Sequence, residues 1–215
     1  MVELETLSLA EVRSRPALPQ TKLETAIVRG GFAELHAKPD IDHVAFYNSY
    51  LATYLERDVQ SAGLQALFAR PCLTFCEPFD KADLARDVGI APSTANQWLS
   101  TLEASGQVVL LEPWFSNHTR PIVKSPKLYL ADNGLLCALL NIRSEEALRQ
   151  SPAAGAIWET FAFAQLRGRE RRAGRADSLF FWRDRTREVD FVLTSAGSWS
   201  SSKRSGPNCR LRMTR

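Results

Sequence analysis

The feature that most constrains the fold is a pair of short helical patterns, residues 81–88 and 92–105, separated by a tight turn. Gly89 can end the first helix in the left-handed conformation that glycine adopts readily. Two apolar runs with the character of strands follow, at residues 107–114 and 122–130. Two helices joined by a tight turn and followed by a hairpin predict a winged helix-turn-helix.

The second helix has an outward face that can hydrogen-bond to the edges of DNA bases. Its candidate residues are Thr94, Asn96, Gln97 and Ser100. Bases on the predicted wing can contact phosphates, namely Arg120, Lys124 and Lys127. The second helix itself has no Lys or Arg, although phosphate neutralisation supplies much of the affinity for DNA. The pattern therefore leaves two readings open, DNA binding and packing against a partner protein.

Composition excludes several other classes of protein. Apolar residues make up 45% of the chain and charged residues 24%, as in ordinary globular proteins. No apolar run approaches the roughly 20 residues of a transmembrane helix. The four cysteines match no metal-ligand spacing and suit a reduced compartment; they are Cys72, Cys76, Cys137 and Cys209. We therefore expect a cytoplasmic protein without a membrane segment.

The net charge of +3 is a property of the C-terminal residues. After Asp190 the sequence contains no acid and five bases, so the rest of the chain is slightly acidic. Residues 194–215 are rich in serine, glycine and bases, which predicts a disordered basic tail. The abrupt change of composition after about residue 196 suggests a foreign or frameshifted tail.

Two acids interrupt apolar surroundings in the second half of the chain. Glu159 lies in a predicted helix over residues 155–168, and Asp190 lies in the second of two predicted strands within residues 178–193. Two such carboxylates can together hold a divalent cation through hard oxygen ligands. Alternatively, each is a structural acid that pairs with one of the nearby arginines, Arg183, Arg185 or Arg187.

Five motifs, taken in order, resemble one protein family. They are FYNSYLATYLERDV, LARDVGIAPSTANQWLSTLEASG, KSPKLYLADNGL, GAIWETFAFAQL and FFWRDRTREVDFVL. Over residues 4–193 the chain resembles the C-terminal region of prokaryotic AAA-type ATPases that carry a domain of unknown function after the ATPase module. The resemblance implies a nucleotide-binding module, then a winged helix, then a region similar to restriction-endonuclease-like nucleases. No G-x-x-x-x-G-K-[ST] phosphate loop occurs in this sequence, so we expect no nucleotide site and no ATPase activity.

The resemblance also implies roles for the two acids. In nucleases of this type a helix Glu and a strand Asp, matched here by Glu159 and Asp190, are followed on the next strand by Glu-x-Lys. The carboxylates would hold magnesium, and the lysine would orient water or stabilise charge. Here no acid follows Asp190, so the third element is missing. We therefore expect no cofactor and no catalysis, with magnesium possible only in a complete site.

These observations predict an α+β protein in which a helical region with a winged helix-turn-helix precedes a truncated restriction-endonuclease-like α/β domain. The predicted divisions are an ATPase remnant and linker (1–40), a helical segment (41–75), the winged helix (76–131), the nuclease-like region (132–193) and the tail (194–215). The predicted function is that of a truncated, non-catalytic ATPase-family protein whose winged helix binds DNA or packs against a partner. Two alternatives remain, a metal-dependent nuclease remnant using Glu159 and Asp190, and a regulatory fragment that contacts an intact ATPase of the same family.

Overall fold

The computed structural model describes residues 5–14, 21–58, 80–114, 125–184 and 186–194. Several predictions fall outside these ranges. They concern the wing contacts Arg120 and Lys124, the candidate ion-pair partner Arg185, part of the helical segment and the tail from residue 195 onward.

The described residues form a mixture of helices and small antiparallel sheets, so the α+β class is confirmed. The helices are α1 (Leu9–Arg13), α2 (Leu23–Arg29), α3 (Ala33–Ala37), α4 (His43–Asp58), α5 (Lys81–Val88), α6 (Pro92–Ala104), α7 (Asn133–Leu139), α8 (Glu145–Gln150) and α9 (Ala154–Arg172). The strands are β1 (Val108–Leu111), β2 (Lys127–Leu130), β3 (Leu179–Arg183) and β4 (Glu188–Leu193). Within the described part of the chain, no helix is both long enough and apolar enough to cross a membrane.

The α5–α6 pair forms where the sequence predicts two short helices. The side chain of Asp80 accepts a hydrogen bond from the Ala82 amide and caps α5. Gly89 ends α5 at a φ of 73°, in the left-handed region that favours glycine. Pro92 occupies the first turn of α6. Amides in the first turn have no partner within the helix, so the missing N–H of proline costs no hydrogen bond there. The inner face of α6 is buried and consists of Ala95, Leu99 and Leu102.

Two antiparallel hairpins are joined edge to edge. In the first, β1 pairs with β2, and in the second, β3 pairs with β4. A parallel bridge between Pro113 and Phe181 links them. There the Trp114 amide donates to the Phe181 carbonyl at 2.6 Å, and the Phe181 amide donates to the Glu112 carbonyl at 3.2 Å. The hairpin that follows α6 is therefore attached to the hairpin that follows α9.

Helix α9 packs across both halves of this arrangement. It contacts α2, α7 and α8 as well as strands β2 and β3. At its centre the ring of Phe163 stacks on Tyr129 of β2, with ring centroids 4.2 Å apart. Because both residues are almost fully buried, α9 and β2 share one core.

A buried polar knot holds the turn before α3, helix α4 and the start of α7 together. The carboxylate of Asp132 accepts hydrogen bonds from the Tyr47 hydroxyl at 2.7 Å, the Gly31 amide at 2.7 Å and the Leu135 amide at 2.8 Å. Burial raises the pKa of Asp132, although these hydrogen bonds favour its charged form. The knot therefore joins parts of the chain that the predicted divisions separate.

The first described residues also pack on the C-terminal half. Glu5 forms ion pairs with Arg167 at 2.6 Å and Arg171 at 2.7 Å, both on α9. The amide of Leu9 donates to the side chain of Gln165 at 2.9 Å. The segment predicted as a remnant and linker thus contains helices that belong to the body of the fold.

Candidate functional site

The outward face of α6 carries the predicted base-contacting residues at its surface. Asn96, Gln97 and Ser100 are exposed, whereas Thr94 is half-buried. On the preceding helix, the guanidinium of Arg86 is exposed and lies 2.7 Å from the carboxylate of Asp83. The predicted base-contacting residues are therefore polar and uncharged, and Glu103 adds an exposed acid to the same helix. Arg86 on α5 already has an acidic partner.

The position of Lys127 does not suit the phosphate contact predicted for it. Its side chain is only 1% exposed, because β2 pairs with β1 and is packed against helices α7 and α9. Its ammonium is also engaged by three carboxylates of the same chain. A lysine in this position cannot reach a DNA backbone, so the structure corrects the prediction for this residue.

Lys127 lies at the centre of a cluster of charged side chains. The ammonium Nζ lies 3.0 Å from Glu159 Oε1, 2.5 Å from Glu188 Oε1 and 3.3 Å from Asp190 Oδ1. Helix α9 supplies the first carboxylate and strand β4 supplies the other two. The structure therefore brings together both predicted acids, and it places a lysine between them.

Neighbouring side chains orient this cluster. The hydroxyl of Tyr129 donates to Glu159 Oε1 at 2.7 Å, and Arg183 pairs with the second oxygen of Glu188 at 3.4 Å. The Lys127 ammonium also lies 5.4 Å from the centre of the Phe181 ring, within the range of a cation–π contact. Strand β2, helix α9 and the β3–β4 hairpin therefore meet at one point.

The surroundings shift the proton affinities of the buried groups. Burial opposes the charged form of Lys127, but the carboxylates of Glu159 and Glu188 outweigh burial and raise its pKa. Burial raises the pKa of Glu159, although Lys127 and Tyr129 both favour its charged form. The lysine is consequently an ammonium at neutral pH, and its positive charge holds the cluster together.

The arrangement does not fit the magnesium ion that the family resemblance implies. The Lys127 ammonium lies between the two acids that would be its ligands. Among the residues that the structure describes, no three acidic, histidine or cysteine side chains are grouped so that they could hold a metal ion. The oxygens are spaced for hydrogen bonds from an ammonium, since divalent ions require oxygens at about 2.0 to 2.6 Å.

Among the described residues, the two acids pair with Lys127 and not with Arg183 or Arg187, while the third proposed partner, Arg185, lies outside the described residues. Arg187 pairs with Asp184 and Arg183 pairs with Glu188, whereas Glu159 and Asp190 both pair with Lys127. The participation of Glu188 could have been found, because residues two apart on a strand face the same side. No comparable signal marks Lys127. All four residues of β2 are buried, so the strand does not alternate between an inner and an exposed face.

The fold and the cluster define the class of this chain, and comparison with known proteins gives its family. It is an α+β protein built on two linked hairpins, with an internal lysine–carboxylate cluster. Residues 20–146, more than half of the chain, match the family described as a domain of unknown function, DUF8612, and the chain belongs to that family. Residues 154–201 match a second domain of unknown function, DUF4143. Lys127 lies in the first matched segment and its three carboxylate partners lie in the second.

Two curated relatives are similar over most of this chain. An uncharacterized protein of Mycobacterium bovis and one of Mycobacterium tuberculosis are each 32% identical over 206 residues. The alignment covers 92% of this chain but 44% of each relative, so the chain spans less than half of their length. No solved structure gives a significant match.

Proposed function

We propose that this chain is a non-catalytic binding module of the AAA-type ATPase lineage, and that the exposed face of α6 binds duplex DNA. The observation that carries the proposal is the division of α6 into two faces. Its apolar residues are buried, whereas Asn96, Gln97 and Ser100 are exposed on successive turns. Asn and Gln can each donate and accept hydrogen bonds at an adenine edge in the major groove.

The order of elements supports the same proposal. Helix α5 packs against α6, and α6 packs against β1, so that the outer face of α6 stands on a rigid base. A second helix presented in this way, followed by a hairpin, is the arrangement of a winged helix-turn-helix. In this proposal α6 is the recognition helix and the connection between β1 and β2 is the wing.

Charge sets the expected strength of DNA binding. Because Lys127 is internal, Arg120 and Lys124 are the remaining wing candidates for phosphate contacts. Each phosphate contact contributes about −0.9 to the slope of log affinity against log salt concentration. Two contacts predict a slope of about −2 and weak binding, apart from any contribution of the basic tail.

The lack of Lys and Arg on α6 favours one second candidate, packing against a protein partner such as an intact ATPase of the same family. Interfaces between proteins tolerate a polar, uncharged surface better than a DNA interface does. The nuclease alternative is not supported, since Lys127 occupies the space between Glu159 and Asp190. The proposal therefore assigns no catalytic or cofactor role to Glu159 and Asp190, and it keeps the cytoplasm as the expected location.

Fluorescence anisotropy of labelled duplex DNA tests the proposal. The full chain and a chain that ends at Leu193 are titrated at two salt concentrations. We expect the shortened chain to bind, with an affinity that falls as salt rises. Asn96→Ala should weaken this binding by about 1 kcal/mol or more, which is the value of a good base contact. Asn48→Ala, which removes an exposed asparagine from α4, is the matched control and should have no effect.

The same titration distinguishes the other outcomes. If only the full chain binds, the basic tail acts as a polycation and the proposal for α6 is wrong. If neither chain binds, DNA is not the ligand, and the protein-partner candidate takes its place. An equal loss of affinity in Asn96→Ala and Asn48→Ala would also exclude a specific role for α6.

A further inference from the structure

Three carboxylates converge on one point at the junction of β2, α9 and β4. They belong to Glu159, Glu188 and Asp190, and each has an oxygen within 3.3 Å of the Lys127 ammonium. Carboxylate oxygens are the ligands that hard divalent cations prefer, but these three, arranged around the ammonium, do not form a metal site in the described structure. In this protein the positive charge at their centre is the ammonium of Lys127, which is part of the chain itself.

We propose that the Lys127 ammonium is the permanent cation of this cluster and excludes divalent metal ions from it. The ammonium donates hydrogen bonds to Glu159 and Asp190 and forms an ion pair with Glu188, at N···O distances of 2.5 to 3.3 Å, and hydrogen bonds between charged groups are stronger than those between neutral groups. A divalent ion would need the same oxygens at shorter range and would have to displace the ammonium.

Burial makes that displacement unfavourable. The lysine is 1% exposed, and its ammonium faces the ring of Phe181. If the carboxylates turned to a metal ion, an unpaired ammonium would remain in the core or the hairpin would have to open. Both outcomes are costly, because a buried charge without a partner is strongly unfavourable.

The cluster is nevertheless accessible to small ions from one side. The side chain of Asp190 is 51% exposed, whereas those of Glu159 and Glu188 are 20% and 27% exposed. Exclusion therefore depends on the lysine and is not a consequence of a closed surface. This inference is independent of the proposed DNA-binding role of α6.

The first experiment uses the native protein and an amine-acetylating reagent, with the modified lysines located by mass spectrometry. Lys38 is the internal reference, because its side chain is 67% exposed. We expect Lys127 to react far more slowly than Lys38, and millimolar Mg²⁺ or Mn²⁺ to leave its reaction rate unchanged. An increase in Lys127 acetylation with either ion would overturn the proposal, because it would show that the ion releases the lysine.

The second experiment measures Mn²⁺ binding by isothermal titration calorimetry. The cluster of the native chain should bind no Mn²⁺. Asp190→Asn should therefore leave the titration of the native chain unchanged. Lys127→Met frees the three carboxylates and should bind Mn²⁺ at least about tenfold more tightly than the native chain, a difference of RT ln 10 in free energy. Adding Asp190→Asn to Lys127→Met should abolish the gain.

Circular dichroism first establishes that the variants are folded. A folded Lys127→Met chain that gains no Mn²⁺ affinity would contradict the proposal. It would show that the lysine is not what keeps metal ions away from the three carboxylates. If Lys127→Met does not fold, the acetylation experiment on the native chain still decides the question.

Discussion

At the scale of single residues, the Asp132 knot explains why two glycines are required. Gly30 has a φ of 75°, and a Cβ at this position would overlap the Tyr47 hydroxyl. Gly134 has no unusual φ, but a Cβ there would also overlap the Tyr47 phenol. Both glycines therefore make room for the hydroxyl that donates to Asp132.

Gly134→Ala tests this requirement. We expect it to lower the free energy of unfolding by about 2 to 4 kcal/mol, because the added methyl group overpacks the site and displaces the Tyr47–Asp132 hydrogen bond. Gly155→Ala is the matched control, since no atom lies within 4 Å of its added Cβ. The control should be neutral or stabilise α9 by up to about 1 kcal/mol. Urea unfolding of both variants measures the difference, and equal effects would contradict the packing argument.

Sequence reasoning at this scale found the acids but missed their counter-ion. Glu159 and Asp190 are conspicuous because a carboxylate among apolar residues requires a partner. Lys127 begins β2 and has the sequence character of a surface base. Its burial follows from α9 packing over β2, a contact between residues far apart in the chain, and local pattern carries no information about such contacts.

At the scale of elements, local chemistry is enough to specify the β3–β4 turn. The Asp184 carboxylate accepts hydrogen bonds from the amides of Thr186 at 2.8 Å and Arg187 at 2.7 Å, and it pairs with the Arg187 guanidinium. These interactions, led by the Thr186 amide, lower the pKa of Asp184 to about 2. The turn thus needs an ionised aspartate.

The turn should accordingly depend on pH in a known direction. Because the pKa of Asp184 is lower in the folded chain, its contribution to the hairpin is fully present above the ordinary aspartate pKa and is lost as pH falls through about 2. Carboxyl NMR should show a midpoint of about 2 for this residue. Arg187→Ala should raise the midpoint only in part, since both backbone donors remain. A native midpoint at the ordinary aspartate value would contradict the hydrogen-bonded turn.

Most elements with a strong local pattern were predicted correctly. The short helices α5 and α6, the long helix α9 and both hairpins lie where periodicity and turn residues place them. Helices α2, α3 and α8 were missed. They have five to seven residues each, too few to display a helical period, and α2 and α3 lack a side-chain cap. Such helices are stabilised mainly by the surfaces against which they pack.

At the scale of the whole molecule, the two matched family segments share one core. Lys127 joins them through three carboxylates, and Asn133 adds a hydrogen bond from its side-chain amide to the Ile157 carbonyl at 3.0 Å. The Asp132 knot and the Glu5 ion pairs add further connections across the predicted divisions. These contacts favour unfolding of the described parts as one unit.

Chemical denaturation checks this expectation. Tryptophan fluorescence and far-ultraviolet circular dichroism should give coincident transitions. Lys127→Met should shift both transitions to lower denaturant, at a cost of about 3 kcal/mol, because it leaves the carboxylates without their counter-ion. Lys38→Met, which removes an exposed lysine paired with Glu34, should cost less than about 0.5 kcal/mol. Two separate transitions in the native chain would show that the segments fold independently.

The ion pair between Glu5 and Arg167 has a consequence for the order in which a growing chain folds. Its partners are separated by 162 residues in the sequence. A nascent chain emerges from the ribosome N-terminus first, so the segment around Glu5 waits for its partner until α9 has been synthesised. Closing so long a loop is entropically unfavourable until other contacts have shortened it. Docking of this segment is therefore a late step in folding, which can occur only after α9 has been synthesised.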